Sequence, residues 1–117
     1  QLQKSGWETE EQKFDYRGTQ IRNIIGRKGS GPVVILGAHY DTRRRADRDK
    51  TDRTAPVPGA NDGASGVAVL LELARVLDTK KLHHQVWLAF FDAEDNGNLD
   101  GWEWAAGSRY MAQNLQV

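Results

Sequence analysis

The chain of 117 residues contains no cysteine and a single methionine, Met111. The absence of cysteine excludes disulfides, thiolate metal ligands and a cysteine nucleophile, and it leaves the redox compartment open. No stretch comes near the ~18 consecutive apolar residues that a membrane-spanning helix needs. We therefore expect no membrane span, and the length predicts a single domain over residues 1–117.

A net charge is also lacking, because sixteen basic side chains balance sixteen acidic ones. A neutral chain has no general field for nucleic acid or anionic lipid, so nucleic acid is not an expected partner. The basic side chains concentrate between Thr42 and Pro58, where aspartates are interleaved with arginines. This polar stretch predicts a solvated, mobile loop, and a loop of such length often borders a functional cleft.

Two apolar runs predict buried strands. Val33 to Leu36 is unbroken and is expected to be covered on both faces, and a second strand is predicted over Gln85 to Asp92. Between them, Ala64 to Asp78 carries apolar residues at helical spacing, in a stripe so broad that only Glu72 and Arg75 face outward. A strand, a helix and a strand in this order predict two parallel strands with a right-handed crossover.

The rest of the chain contributes smaller elements. Turn residues at Arg17-Gly18, between two stretches that contain β-branched and aromatic residues, predict a hairpin. A short helix is predicted to begin at Gly107 or Ser108. The loop before it carries Trp102 and Trp104, which either line a pocket or pack across the end of the helix.

Side chains of the metal-ligand type stand at the carboxyl end of each predicted strand and at the start of the helix. His39 and Asp41 follow the first strand, Asp62 lies in a glycine-rich turn before the helix, and Glu94 and Asp95 follow the second strand. Open α/β sheets place their sites at the carboxyl ends of parallel strands, so these side chains are expected to share one crevice. Histidine with carboxylates and no thiolate suits a divalent metal, and zinc is the first candidate.

The same residues allow a division of roles. Asp62 has two carboxylate oxygens and can bridge two ions, although it can instead cap the first turn of the helix. Asp41 can accept the second ring N–H of His39 and fix its tautomer. If the backbone stays extended, Glu94 and Asp95 point to opposite sides, so that one binds metal and the other acts as general base.

Four segments occur in order along the chain: Gly37-Ala38-His39-Tyr40-Asp41-Thr42, Pro58 to Gly66, Phe90-Phe91-Asp92-Ala93-Glu94-Asp95 and Gly107-Ser108-Arg109. Together they resemble the co-catalytic zinc aminopeptidase family, which includes the glutaminyl-peptide cyclotransferases, and the resemblance covers nearly the whole chain. It implies an α/β fold: a three-layer, phosphorylase/hydrolase-like sandwich with a mixed, mostly parallel sheet that is incomplete at the carboxyl end of this chain. It also implies two zinc ions as the cofactor and a peptide as the substrate.

The resemblance assigns roles position by position. His39 resembles the ligand of one zinc, Asp95 a ligand of the other, and Asp62 the carboxylate that bridges both. Glu94 occupies the place of the general base, and Asp41 that of the residue that orients the histidine. The implied activity is that of a zinc-dependent aminopeptidase, which hydrolyses the first peptide bond of its substrate with water activated by zinc and Glu94.

Two features depart from the family pattern. The family usually has two glutamates where this chain has Glu94-Asp95, so we expect metal binding with an altered geometry. The family's remaining ligands, an aspartate and a late histidine, fall beyond Val117, which leaves two protein ligands for each zinc where a catalytic site has three. We therefore expect this chain alone to be poor in metal and inactive, and a longer parent with the missing carboxyl-terminal segment to be an enzyme.

Two other functions stay open. A glutaminyl-peptide cyclotransferase is favoured by the long insert after the acidic pair and by a tryptophan within it, Trp102 or Trp104, whereas Gly37 to Thr42 and Gly59 to Gly66 are closer to the aminopeptidases. A non-catalytic binding domain would use the acidic residues only to cap and solvate loops. Because relatives in this family are often exported, the resemblance also hints at export.

Overall fold

A computed structural model describes residues 1–116. Within these residues, four strands form one sheet in the order β1-β2-β4-β3: β1 (Glu8–Tyr16), β2 (Thr19–Gly29), β3 (Val33–His39) and β4 (Gln85–Phe91). The α-helices are α1 (Ala64–Val76) and α2 (Ala106–Gln113), and short 3₁₀ turns cover Gln3–Ser5 and Thr79–Lys81.

The predicted mixed sheet is confirmed, and so is the parallel pairing of the two apolar strands. β3 runs parallel to β4, whereas β1 with β2 and β2 with β4 are antiparallel. One of the three pairings in the described part is therefore parallel, fewer than the mostly parallel sheet that was expected. The reason is that the amino-terminal hairpin, rather than another crossover strand, occupies the second side of β4.

The predicted hairpin at Arg17-Gly18 is also confirmed. All of β1 pairs with Thr19 to Arg27 of β2, and Arg17 and Gly18 have φ values of 50° and 78°. Two positive φ values in a row belong to a tight two-residue turn whose twist matches that of the strands. The Asp15 carboxylate accepts a hydrogen bond from the Gly18 N–H at 3.1 Å and closes the turn.

Strand β4 lies inside the sheet, and its side chains divide the core between the two faces. The even-numbered residues of Val86 to Phe90 form one cluster with the buried residues of α1. The odd-numbered ones, Trp87 and Ala89, form another cluster with Met111 of α2. Alternate side chains of a strand point to opposite faces, so each helix covers one face and the three-layer sandwich is confirmed.

The prediction that Val33 to Leu36 is buried on both faces is wrong for the described chain. β3 is an edge strand, since β4 is its one partner in residues 1–116, and Val34, Ile35 and Leu36 are 36% to 41% exposed. An apolar run shows that a strand suits an interior, but its burial depends on neighbours that the run does not specify.

The helix predicted over 64–78 forms as α1, but it buries a narrower stripe than expected. Val69 and Val76 are more than half exposed, so the expectation that only Glu72 and Arg75 face outward is wrong. The helix packs on one face of the sheet, and the flanks of a stripe this broad stay uncovered there. Among residues 1–116, no helix combines the length and the apolar character needed to cross a membrane.

A buried polar side chain, Asn23 of β2, joins the sheet to the start of α2. Its Nδ2 donates to Gln12 Oε1 and to the main-chain oxygen of Gly107, both at 2.9 Å, and its Oδ1 accepts from the Asp92 N–H at 3.1 Å. A Cβ at position 107 would collide with the main-chain oxygen of Asp92, so glycine permits this close approach. Asn23 thereby fixes the point at which the chain leaves β4.

Replacing Asn23 with alanine is expected to lower the free energy of unfolding by about 2–3 kcal/mol, because it leaves buried main-chain groups of Gly107 and Asp92 without partners. The control is Gln12→Ala, which removes only the bond between the two side chains and should lower that free energy by less than about 1 kcal/mol. Equilibrium urea unfolding measures both. Equal losses in the two variants would show that the bonds to Gly107 and Asp92 contribute nothing.

Candidate active site

The structure brings the five predicted site residues to one edge of the sheet. His39 is the last residue of β3, and its Nε2 lies 2.9 Å from Asp62 Oδ1 and 3.9 Å from Glu94 Oε2. Asp41 contacts both His39 and the main chain of Glu94 and Asp95. The convergence predicted from the strand ends is therefore present, because parallel β3 and β4 end side by side.

Asp62 does not cap helix α1. The residue at the amino-terminal cap is Gly63, and no side chain makes a capping hydrogen bond there. The Asp62 carboxylate is 71% exposed and contacts His39 instead. A Cβ on Gly63 would stand 2.9 Å from the main-chain oxygen of Asp41, so glycine with a φ of 96° lets the turn approach β3. The capping alternative for Asp62 is thus excluded, and its carboxylate is open to a ligand.

Both ring nitrogens of His39 face oxygen atoms. Nδ1 lies 3.1 Å from the main-chain oxygen of Asp41 and 3.4 Å from its Oδ1, while Nε2 lies 2.9 Å from Asp62 Oδ1. Burial lowers the pKa of His39, but the charges of Glu94 and Asp41 and the hydrogen bonds to Asp62 and Asp41 outweigh it, so the pKa is raised. Binding of a metal at Nε2 would have to displace the proton that this raised pKa retains.

The side chain of Asp41 holds the main chain of the acidic pair, Glu94 and Asp95. Its carboxylate accepts hydrogen bonds from the N–H of Glu94 at 3.0 Å and from the N–H of Asp95 at 3.1 Å. The extended backbone expected at this pair ends at Phe91, and Ala93 has a φ of 52°, which lets successive N–H groups face the same carboxylate. The sequence predicts a role of Asp41 toward His39 but not this second one, because Glu94 and Asp95 lie 53 and 54 positions further along the chain.

Two carboxyl groups of the site, Glu94 and Asp95, have raised pKa values. Burial raises the pKa of Glu94 most, His39 opposes it, and the charges of Asp95, Asp41 and Asp62 raise it further. Burial likewise raises the pKa of Asp95, with the charge of Asp62 adding to it. A carboxylate with a raised pKa suits a general base. Carboxylates this close also favour a divalent cation, which would offset their repulsion.

The donor atoms at the site are of the types that zinc accepts, but the described residues supply too few of them. His39, Asp62 and Asp95 supply the nitrogen and oxygen atoms that zinc accepts. Within residues 1–116, however, no group of three histidine, aspartate or glutamate side chains is arranged to hold a metal ion. The described residues therefore fit part of a zinc site, to which further ligands would have to be added.

The loop from Thr42 to Pro58 was expected to be solvated, but part of it packs against the segment after β4. Arg43 is only 11% exposed and binds the segment after β4, and the N–H of Arg44 donates to Asn96 Oδ1 at 3.0 Å. No sequence pattern separates Arg43 from the arginines beside it, because the contacts that distinguish it, to the main-chain oxygens of Asp95 and Gly97, are made with residues more than fifty positions away. The loop and the acidic segment thus form one packed unit.

The two tryptophans have different environments. Trp102 is buried in a cluster with Ile21, Ala93 and Ala106, so packing across the end of the helix is correct for it. Trp104 is 37% exposed and lies beneath the guanidinium of Arg43, 5.0 Å from its ring centroid. Of these two tryptophans, Trp104 is therefore the one whose ring is exposed enough to contact a ligand.

The profile of Peptidase family M28 matches residues 23–117. With its fold and its converging site residues, the chain belongs to peptidase family M28.

Three relatives illustrate the range of this similarity. A probable zinc metalloprotease of Leptosphaeria maculans is 35% identical over 96 residues, which are 82% of this chain and 20% of that protein. A leucine aminopeptidase precursor from Bacteroides thetaiotaomicron is 38% identical with a TM-score of 0.85, over 99% of this chain and 46% of that one. A glutaminyl cyclase from Porphyromonas gingivalis is 38% identical with a TM-score of 0.86, over 99% and 44%. The chain thus spans less than half the length of these relatives.

In protein freed of metal by a chelator, we expect the pKa of His39 to lie above 6.5 when its ring protons are followed by NMR. Glu94→Gln should lower it, because Glu94 is the largest of the charges that raise it. Glu103→Gln is the control, since that carboxylate pairs with Arg109 at 3.0 Å, and should leave it unchanged. The folded state binds this proton more tightly, so the stabilisation it provides is present below pH 6.5 and is lost as the pH rises through the raised value. A pKa at or below 6.5 would contradict the described contacts.

Proposed function

We propose that the natural protein is a zinc-dependent exopeptidase, an aminopeptidase that hydrolyses the first peptide bond of its substrate. The observation that carries the proposal is the meeting of His39, Asp62 and Glu94 within 3.9 Å at the sheet edge. Membership of peptidase family M28 supports it. So do the names of the relatives in L. maculans and B. thetaiotaomicron, a zinc metalloprotease and an aminopeptidase.

His39, Asp62 and Asp95 are the residues that would hold zinc, with Asp62 open to two ions. Bound zinc would polarise the scissile carbonyl and make water more acidic. Glu94 then accepts a proton from the attacking water as its oxygen bonds to the carbonyl carbon. When the C–N bond breaks, Glu94 gives that proton to the departing amine. Its raised pKa suits both transfers, because the carboxyl must take up and release a proton in one turnover.

The 117-residue chain alone is proposed to bind zinc weakly and to be inactive. It offers two ligands for each ion, and a catalytic zinc site has three. The lack of a three-residue metal group in residues 1–116 supports this.

In the full-length protein, chelation of zinc is expected to abolish cleavage of an aminoacyl chromogenic substrate, and added zinc to restore it. Glu94→Gln should lower kcat by about 10²–10⁴-fold with zinc retained, as for loss of a general base. The matched control, Glu103→Gln, should keep both the wild-type kcat and the bound zinc. The isolated 117 residues should bind little zinc and show no turnover. Stoichiometric zinc and turnover in the short chain, or full activity of Glu94→Gln, would overturn these assignments.

A glutaminyl-peptide cyclotransferase is the second candidate. The P. gingivalis glutaminyl cyclase is as similar to this chain, by identity and TM-score, as the aminopeptidase precursor is. The insert after the acidic pair also contains an exposed tryptophan, Trp104, which lies against Arg43 of the loop between Thr42 and Pro58. Both features favour an enzyme that acts on the amino terminus of a peptide, whichever nucleophile it employs.

A glutamine-initiated peptide offered to the full-length protein separates the two activities. An aminopeptidase releases free glutamine, which shortens the peptide by one residue. A cyclotransferase releases ammonia and leaves every backbone bond intact. Mass spectrometry of the product, with an ammonia assay, distinguishes the outcomes. Ammonia release without shortening would replace the first proposal with the second.

A further inference from the structure

Arg43, a side chain without an assigned role, makes contacts that meet around the acidic pair. Its Nε and Nη2 donate to the two oxygens of Asp47 at 2.6 and 3.0 Å. Its Nη1 donates to the main-chain oxygen of Asp95 at 2.8 Å, and Nη2 also donates to the main-chain oxygen of Gly97 at 3.1 Å. The guanidinium lies over Trp104. Few side chains in a surface loop are held by so many partners.

The main chain of Asp95 is consequently held from both sides. Asp41 accepts its N–H at 3.1 Å, and Arg43 donates to its C=O at 2.8 Å. Both holding residues come from the segment directly after β3, which also supplies His39. The Nη1 of Arg43 is 4.0 Å from the Asp95 carboxylate, which is close enough to influence the pKa of that carboxyl group but too far for a hydrogen bond. The hydrogen bond from Arg43 goes to the main-chain oxygen of Asp95, so it leaves the carboxylate oxygens available to a metal.

We propose that Arg43 is a positioning residue that fixes Asp95 relative to His39 and Asp62 for metal binding. The inference rests on the proposed function, since the role of Asp95 as a zinc ligand belongs to it. Groups that orient metal ligands typically change metal affinity by about 10–100-fold when they are removed. Arg43 acts through the backbone and orientation of Asp95 and touches neither substrate nor reacting atoms.

The planar, five-donor head of arginine suits this place. One guanidinium reaches the Asp47 carboxylate and two carbonyl oxygens while it stacks on an aromatic ring. A lysine ammonium has no such fork and cannot meet all of these partners together. The neighbouring Arg45 differs, because its side chain is 41% exposed and its ion pair within residues 1–116 is with Asp100, at 3.1 Å. Exposed pairs of this kind contribute little, so Arg45 provides a matched control.

The test uses the full-length protein with the variants Arg43→Ala, Arg43→Lys, Asp47→Asn and Arg45→Ala. Zinc affinity is measured by competition with a chromophoric chelator. Hydrogen exchange of the Glu94 and Asp95 amides is measured in the zinc-free protein, with Leu88 of β4 as the internal reference. Arg43→Ala should weaken zinc binding about 10–100-fold and speed exchange at the two amides by about tenfold, with Leu88 unchanged. Arg43→Lys should weaken binding by about tenfold or less, and Arg45→Ala should match the wild type.

Asp47→Asn separates positioning of Asp95 from simple folding of the loop. This variant weakens the ion pair inside the loop but leaves the Arg43 bonds to Asp95 and Gly97. It should therefore keep zinc affinity and amide protection close to those of the wild type. Asp47→Asn with losses as large as those of Arg43→Ala, or folded Arg43→Ala with normal affinity and exchange, would overturn the proposal. A wild-type protein without zinc would overturn the proposed function instead, while amide exchange would still decide whether Arg43 holds Asp95.

Discussion

The site depends on one interaction, the acceptance of two successive N–H groups by the carboxylate of Asp41. The donors, Glu94 and Asp95, lie 53 and 54 positions further along the chain. Hydrogen bonds that backbone N–H groups donate to a charged carboxylate are stronger than neutral ones, and here two such bonds share one carboxylate. The main-chain oxygen of the same aspartate contacts the ring of His39. One residue thus joins the end of β3 to the segment after β4 and sets the proposed base and the proposed metal ligands in a common frame.

That frame collects negative charge that the fold itself does not neutralise. Burial raises the pKa values of Glu94 and Asp95 most, and the charges of the neighbouring carboxylates raise them further. The cationic groups that oppose these shifts are His39 and Arg43. Arg43 binds mainly Asp47 and carbonyl oxygens, so it offsets little of this charge. A site assembled in this way stores electrostatic repulsion that a bound cation relieves. Under the proposed function, this crowding of carboxylates would favour binding of zinc, and together with burial it raises the pKa of Glu94.

Local patterns of the sequence predict the elements and the ends of the strands, but not the contacts between loops. The hairpin at Arg17-Gly18 follows from turn chemistry, and α1 from its period, because both depend on neighbours in sequence. The meeting of His39, Asp62 and Glu94 follows from the rule that parallel strands end together. The exposure of Val34 to Leu36 and of Val69 depends on which elements lie alongside, and the burial of Arg43 depends on partners across the fold. A period or a spacing carries no information about such partners.

Glu94 is compatible with both hydrolysis and cyclisation. Hydrolysis needs a base that takes a proton from water, and cyclisation needs one that takes a proton from the terminal amine of the peptide and returns it to the departing ammonia. One carboxylate with a raised pKa serves either reaction, because its task is to accept and release a single proton. The two activities therefore differ in whether the site admits water or presents the substrate's own amine to the carbonyl. That selection belongs to the residues that surround the reacting atoms rather than to the carboxylate that transfers the proton.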